Sequence, residues 1–160
     1  MKVVVRTVLD APVDRIWAEV KTPRLLTHVA GPLIVFDMID PPAMPAHWGG
    51  GRYHLGMRFL GFIPIGRQWI ITSTPKPEDH ARGVYRIRDN GVGDIAKVWD
   101  HLIVLEAKPD GRTAYRDEVE VKAGVLTFVV WLFAHWFYRH RQARWRGLVR
   151  RGFHYPSEAA

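Results

Sequence analysis

The chain has 160 residues and a formal net charge of +7, with hydrophobic residues at 48% and charged residues at 24%. This length and composition predict a single globular domain across residues 1–160 and exclude a disordered or collagen-like chain. The absence of cysteine excludes disulfides, thiolate nucleophiles, zinc ribbons and iron–sulfur clusters. Because a cysteine-free chain suits a reducing compartment and no signal-peptide pattern follows Met1, we expect a cytoplasmic protein.

The N-terminal residues predict a strand followed directly by two short helices. Residues 2–9 are rich in Val and Thr, which is typical of a strand. Apolar residues then recur at helical spacing over residues 13–20. Thr22 and Pro23 have the residue types that cap and open a helix, and Gly31-Pro32 ends this second helix.

Turn signals divide the middle of the chain into short apolar runs. Residues 40–51 contain three prolines and three consecutive glycines, which predicts a loop. Asp89-Asn90-Gly91 predicts a turn, and Pro109-Asp110-Gly111-Arg112 predicts a hairpin between the last two strands. Short connections between successive strands favour an antiparallel sheet. The predicted strands after the helices are residues 33–39, 52–60, 66–74, 84–88, 95–107 and 113–121.

One long helix is predicted over residues 125–151. Its first half, 125–138, is apolar nearly all round, so we expect other elements to cover it on several sides. This stretch is shorter than the roughly 20 residues that a membrane-spanning helix needs. The second half is rich in arginine, which predicts a solvated helix end.

The order of these elements, together with three local strings, resembles the helix-grip superfamily. This superfamily, also called SRPBCC or Bet v 1-like, includes the birch-pollen allergen, START lipid-transfer domains and polyketide cyclases. The resemblance implies an α+β fold in which a curved antiparallel sheet of about seven strands wraps around a long C-terminal helix, with two short helices after strand 1. The strings are Leu9-Asp10-Ala11-Pro12-Val13-Asp14-Arg15-Ile16-Trp17, Gly61-Phe62-Ile63-Pro64-Ile65-Gly66 and Tyr115-Arg116-Asp117-Glu118-Val119-Glu120.

The resemblance also implies a cavity between the sheet and the long helix that accepts apolar small molecules. The chain has seven Trp, five Tyr and seven Phe, and aromatic walls suit such a cavity. Core packing is the alternative role for the same side chains. The residues that we expect to line the cavity are Arg67, Trp69, Tyr85, Trp99, His101, Asp117, Phe128 and Leu132.

The last two predicted strands carry a histidine and an aspartate that could act together. A three-residue hairpin loop with a bulge at Gly111 pairs residues whose numbers have an even sum. This register brings His101 near Asp117, on the face that also holds Trp99. An imidazole oriented by a carboxylate is a common proton-transfer unit, and a purely structural pair is the alternative.

Arginines suggest two kinds of anionic partner. Arg67 shares strand parity with Trp69, so an inward Arg67 could hold a ligand carboxylate or phosphate in a two-point contact. The basic half of the last helix could contact an anionic membrane surface, and no nucleic-acid-binding motif accompanies it. The arginines proposed for membrane contact are Arg139, Arg141, Arg144 and Arg146.

The sequence favours a protein that binds a hydrophobic or amphipathic small molecule, such as a lipid or polyketide. One alternative is an enzyme of the cyclase or dehydratase type that uses His101 and Asp117 as acid and base. Another is a protein–protein interaction module that uses the apolar half of the last helix. We expect no metal site, because the eight histidines form no ligand pattern, and no cofactor.

Overall fold

The computed structural model describes residues 1–156. The last four residues of the predicted domain, 157–160, lie outside this part. Seven strands and three α-helices confirm the predicted α+β fold. The elements are β1 Lys2–Leu9, α1 Val13–Val20, α2 Pro23–Ala30, β2 Ile34–Asp40, β3 Gly51–Phe59, β4 Ile63–Ser73, β5 Val84–Gly93, β6 Val98–Ala107, β7 Thr113–Lys122 and α3 Thr127–Arg150.

All seven strands form one antiparallel sheet. Their order is β1-β7-β6-β5-β4-β3-β2, so β1 and β2 lie at the two edges. Residues with odd numbers on β7 are buried and those with even numbers are more exposed, as expected for a sheet with one covered face. Gly111 has a φ of +78° in the β6–β7 turn, a left-handed conformation that glycine adopts without strain.

The β6–β7 register is the one predicted from the hairpin loop. His101 pairs with Val119, and Ile103 pairs with Asp117, so every pair has an even sum. Because directly paired residues share a face, His101 and Asp117 both point from the sheet towards α3. This register positions the polar end of the site described below.

One expected turn is instead part of a strand. Asp89, Asn90 and Gly91 continue β5 and pair with β6. A Cβ atom at Gly91 would lie 2.9 Å from the carbonyl oxygen of Trp69, so glycine is present here because the neighbouring backbone comes close. The turn signal was wrong, and Asp89 belongs to the sheet.

The helices cover the same face of the sheet. The side chain of Thr22 accepts a hydrogen bond from the Leu25 backbone N–H at 3.3 Å, and Pro23 occupies the first turn of α2, as predicted. The second half of α3 packs over β1 and β7, where Trp145 and Leu148 are fully buried. No helix in the described range is both long and apolar enough to cross a membrane.

Candidate functional site

A cavity with a mainly apolar wall lies between the sheet and α3. Its volume is about 520 Å³, within the range of roughly 300–1,000 Å³ that is typical of small-molecule sites. Strands β2 to β6 contribute to the wall, as do all three helices. Trp48, in the loop between β2 and β3, completes it. The core of the protein therefore contains a space large enough for a small organic molecule.

The cavity opens beside the start of α3. Leu126, Val129 and Ile95 line it, yet each of them is between 44 and 62% exposed. Residues that belong to the wall and also contact solvent mark the rim of an opening. The mouth therefore lies between the N-terminal end of α3 and the segment before β6, and its rim is apolar.

A buried hydrogen-bond network surrounds Asp117 at the opposite end. His101 Nε2 lies 2.8 Å from Asp117 Oδ1, and the hydroxyl of Tyr115 donates to the same oxygen at 3.1 Å. Gln142, from α3, donates to Oδ2 at 2.9 Å and also to the carbonyl oxygen of Val5. Asp117 therefore connects β6, β7 and α3, and β1 joins the network through Gln142.

The two partners of the His101–Asp117 pair differ in charge. Burial lowers the pKa of His101 below its ordinary value, although Asp117 acts in the opposite direction. Burial alone would raise the pKa of Asp117, but the hydrogen bond from His101, the charge of Arg141 and the hydrogen bond from Gln142 together lower it. At neutral pH the pair is therefore a neutral imidazole beside a carboxylate. Nε2 then carries the proton, and Nδ1 is the nitrogen left to accept one.

Asp89 lies beside His101 on the neighbouring strand, on the same face of the sheet. The two residues are directly paired between β5 and β6, and both line the cavity. Asp89 Oδ1 accepts a hydrogen bond from the backbone N–H of Ile71 at 2.8 Å. Burial raises the pKa of Asp89 to about 7, even though part of its surface faces the cavity. Asp89 was not among the predicted site residues, because Asp89-Asn90-Gly91 has the composition of a turn.

Two residues of α3 complete the polar end. Tyr138 accepts a hydrogen bond from Trp99 Nε1 at 3.2 Å, and burial raises its pKa so that the phenol stays protonated. Arg141 also lines the cavity and is only 8% exposed. Its Cζ lies 5.0 Å from the ring centroid of Tyr138. A cation, a phenol, an imidazole and a carboxyl group thus meet at one end of an apolar space.

The structure places two of the eight predicted lining residues in the wall, namely Trp99 and His101. Asp117 is behind His101 and does not reach the cavity. Arg67 and Trp69 lie on the opposite face of β4, because Gln68, Ile70 and Thr72 face the cavity in this part of the strand. On that outer face Arg67 forms an ion pair with Asp94 at 3.3 Å. These two placements correct the prediction for Arg67 and Trp69.

Three further lining predictions are also corrected. Tyr85 is on the covered face of β5 but packs against Trp17 of α1, with its ring centroid 5.4 Å away. Phe128 and Leu132 are exposed on the outer side of α3. Residues 130, 133 and 137 of the same helix line the cavity instead, and residue 129 lies at its rim, because helical periodicity points neighbouring residues in different directions.

The arginines proposed for membrane contact are not equivalent. Arg141 is buried and cannot reach a membrane surface, which corrects that part of the prediction. Arg144 is half-buried and donates through Nε to the carbonyl oxygen of His28 at 2.7 Å. Arg139 and Arg146 are exposed. Membrane contact can therefore rest on these last two residues but not on Arg141.

Comparison with solved structures agrees with this architecture, whereas none of the known protein-family models matches the chain. An aromatase/cyclase from a Streptomyces species has 12% sequence identity and a TM-score of 0.64, with 96% of each chain covered. A START superfamily protein from Mycobacterium smegmatis has 14% identity and a TM-score of 0.59, covering 94% of this chain and 97% of its own. A protein from Chromobacterium violaceum has 15% identity and a TM-score of 0.64, covering 92% and 96%.

These similarities define the class of fold. The chain has the START-like helix-grip fold, as predicted from the order of its elements. At these levels of identity the comparison describes architecture, and one architecture supports many functions. Evidence on function therefore comes from the cavity and its polar end.

Proposed function

We propose that this protein binds a hydrophobic or amphipathic small molecule in the cavity between its sheet and α3. The observation that carries the proposal is the cavity of about 520 Å³ with a mainly apolar wall and an apolar mouth. Removing apolar surface from water contributes about 25 cal/mol per Å² before the costs of association. The ionisable groups Asp89, His101 and Arg141 are gathered at one end together with Tyr138, where they can orient a ligand.

A neutral fluorescent probe, N-phenyl-1-naphthylamine, tests this proposal without assuming any charge on the ligand. Val130 lines the cavity, so Val130→Trp fills space that the probe would occupy. Leu132 is on the outer side of the same helix, so Leu132→Trp is the matched control. We expect Val130→Trp to weaken probe binding by about tenfold or more, which corresponds to about 1.4 kcal/mol, and Leu132→Trp to leave it unchanged. Equal binding by both variants would contradict the proposal.

Acid–base catalysis is the second candidate function. The observation in its favour is the 2.8 Å contact between His101 and Asp117, with His101 in the cavity wall. A neutral imidazole that keeps one nitrogen free can accept a proton from a bound molecule. His101→Ala should then abolish conversion of the extracted natural ligand while N-phenyl-1-naphthylamine still binds. Equal loss of both would indicate a structural role for the histidine.

Two surface roles remain proposals. The exposed apolar side chains of α3 are compatible with a protein–protein interaction module, which would show as concentration-dependent mass in light scattering. Arg139 and Arg146 are compatible with contact to an anionic membrane. Sedimentation with phosphatidylserine vesicles tests that contact, and the double substitution Arg139→Gln with Arg146→Gln should reduce the fraction of protein that sediments with them. Neither role is needed for the cavity to bind a ligand.

A further inference from the structure

Arg141 is a buried cation with no hydrogen-bond partner among the described residues. It is 8% exposed, and its Nε atom is fully enclosed without an acceptor. Other arginines of the protein form ion pairs at the surface, such as Arg58 with Asp37 and Arg88 with Asp100. An unpaired buried charge costs several kcal/mol. A buried cation of this kind is therefore expected to bind an anionic or hydrogen-bond-accepting group from outside the chain.

The nearby carboxylates do not supply this partner. Asp117 lies close enough to influence Arg141 electrostatically, but its oxygens accept from His101, Tyr115 and Gln142. Asp89 uses Oδ1 for the backbone N–H of Ile71. Neither carboxylate comes within ion-pair distance of Arg141. The charge of Asp117, and that of Asp89 when it is ionised, therefore makes the site tolerable for a cation without occupying its N–H groups.

The side chains around Arg141 belong to the wall of the cavity. Its guanidinium lies near the rings of Tyr138 and Phe137, at 5.0 and 5.7 Å from their centroids, and all three residues line the cavity. Tyr138 accepts from Trp99 but gives its own proton to no described residue. A guanidinium fork and a phenolic O–H, one helical turn apart, are thus both available to one ligand group.

We propose that Arg141 binds the carboxylate of an amphipathic acid whose apolar body fills the rest of the cavity, with Tyr138 donating to the same group. The inference rests on the proposed ligand-binding function and names the chemical class of the ligand. A carboxylate matches the planar fork of arginine in a two-point contact. A doubly charged phosphate fits less well, because Asp89 and Asp117 are close by.

Matched pairs of an acid and a neutral analogue test this assignment by isothermal titration calorimetry. Dodecanoate with dodecan-1-ol represents an acyl body, and 2-naphthoate with 2-naphthamide represents an aromatic one. We expect the wild-type protein to prefer at least one acid over its neutral analogue by about tenfold or more, the range of a charge-assisted hydrogen bond. The pair that shows the larger preference indicates which kind of body the cavity accepts.

Arg141→Met removes the charge while keeping an unbranched side chain. We expect the acid affinity to fall to that of the neutral analogue, whose own affinity stays within about twofold. Arg139→Met is the matched control, because Arg139 is an exposed arginine on the same helix that bonds only to His135. Arg141→Lys keeps the charge but loses the planar fork. It carries the same test if the methionine variant does not fold.

The outcomes separate this inference from the proposed function. If neutral analogues bind and acids bind no better, the cavity function stands and the carboxylate assignment is wrong. A preference for acids that persists in Arg141→Met also overturns the assignment. If none of the four probes binds, the proposed function itself fails. The melting temperature of unliganded Arg141→Met should equal or exceed that of the wild type, whereas a clear decrease would indicate a structural role.

Discussion

The two halves of α3 have side chains whose exposure to solvent does not follow the composition of each half. The first half is apolar, yet Phe128 and Leu132 are exposed. The second half is rich in arginine, yet Trp145 and Leu148 are buried at the centre of a core cluster and Arg141 is enclosed beside the cavity. Average hydropathy therefore does not predict which side chains are covered, since Phe137 and Tyr138 are the part of the apolar half that is buried. The difference teaches that contacts with neighbouring elements decide which part of a helix is buried.

Hydrogen bonds to neighbouring backbone explain how a basic segment can be buried. Arg144 donates to the carbonyl oxygen of His28, and His140 Nε2 lies 2.9 Å from that of Gly31. Gln142 reaches the carbonyl oxygen of Val5 on β1. Long polar side chains can cover apolar surface while their ends find polar partners. The first half has few such anchors and extends along the mouth of the cavity.

A pair of tryptophans gives the sharpest test of this comparison. Trp145 is 1% exposed in the second half, whereas Trp136 is 51% exposed in the first. We expect Trp145→Ala to lower the free energy of unfolding by about 3–5 kcal/mol, because it leaves a cavity in the core. Trp136→Ala should change it by less than about 1 kcal/mol. Urea titration measures both, and similar losses would show that the halves are equally buried.

The Asp117 network anchors the second half, and its removal should have the next largest effect. Asp117→Asn replaces a carboxylate that accepts from His101, Tyr115 and Gln142 with a group that accepts at one atom only. We expect a loss of about 2–3 kcal/mol in the free energy of unfolding. Glu118→Gln, on the outer face of the same strand, is the control and should stay within about 0.5 kcal/mol. Comparable losses for both substitutions would exclude the anchoring role.

Asp89, beside the buried half, should make stability depend on pH. Its pKa rises from 3.8 in the unfolded chain to about 7 in the fold, so the folded state binds more protons between these values. Stability contributed by the protonated form is therefore lost as the pH rises from about 4 to about 7. Asp89→Asn should remove this slope and stabilise the protein by about 1–2 kcal/mol at pH 8, less than the full pKa shift implies, because Asp89 is only partly buried. Identical pH profiles for variant and wild type would contradict this.

Replacing exposed residues of the first half should have the smallest effect. Phe128→Ser combined with Leu132→Ser should change the free energy of unfolding by less than about 0.5 kcal/mol, because both side chains are in contact with solvent. Chemical denaturation at two protein concentrations measures this. A loss above about 1.5 kcal/mol that grows with concentration would mean that copies of the chain cover this face. That result would favour the interaction-module alternative.

Local rules predicted many of the elements and one contact of the site, whereas the arrangement of the fold was predicted from a family resemblance. The length of the hairpin loop determines the parity of β6 against β7, and this parity places His101 and Asp117 on one face. Thr22 and Pro23 located the start of α2 correctly. These predictions succeeded because loop length and capping act over a few neighbouring residues. They require no knowledge of what lies across the sheet.

The rest of the site depends on contacts that such rules do not describe. Asp89 was not predicted as a site residue, because Asp89-Asn90-Gly91 has the composition of a turn. Gly91 in fact allows the neighbouring strands to come close. Arg141 belongs to a run of arginines that is otherwise largely at the surface. Only the packing of α3 shows that Arg141 is buried while Arg139 is exposed. Strand parity correctly predicted that Arg67 and Trp69 share one face of β4. Parity alone does not show which face the helices cover, because that depends on the whole sheet.

Native mass spectrometry of the freshly purified protein tests the central claim most directly. The account predicts a bound small molecule in one-to-one ratio with the 18.4 kDa chain, carried by the wild type and by Leu132→Trp, and at clearly lower occupancy in Val130→Trp. Organic extraction should then release an apolar acid. A bare chain mass for all three proteins, unchanged after incubation with dodecanoate and with dodecan-1-ol, would contradict ligand binding in this cavity.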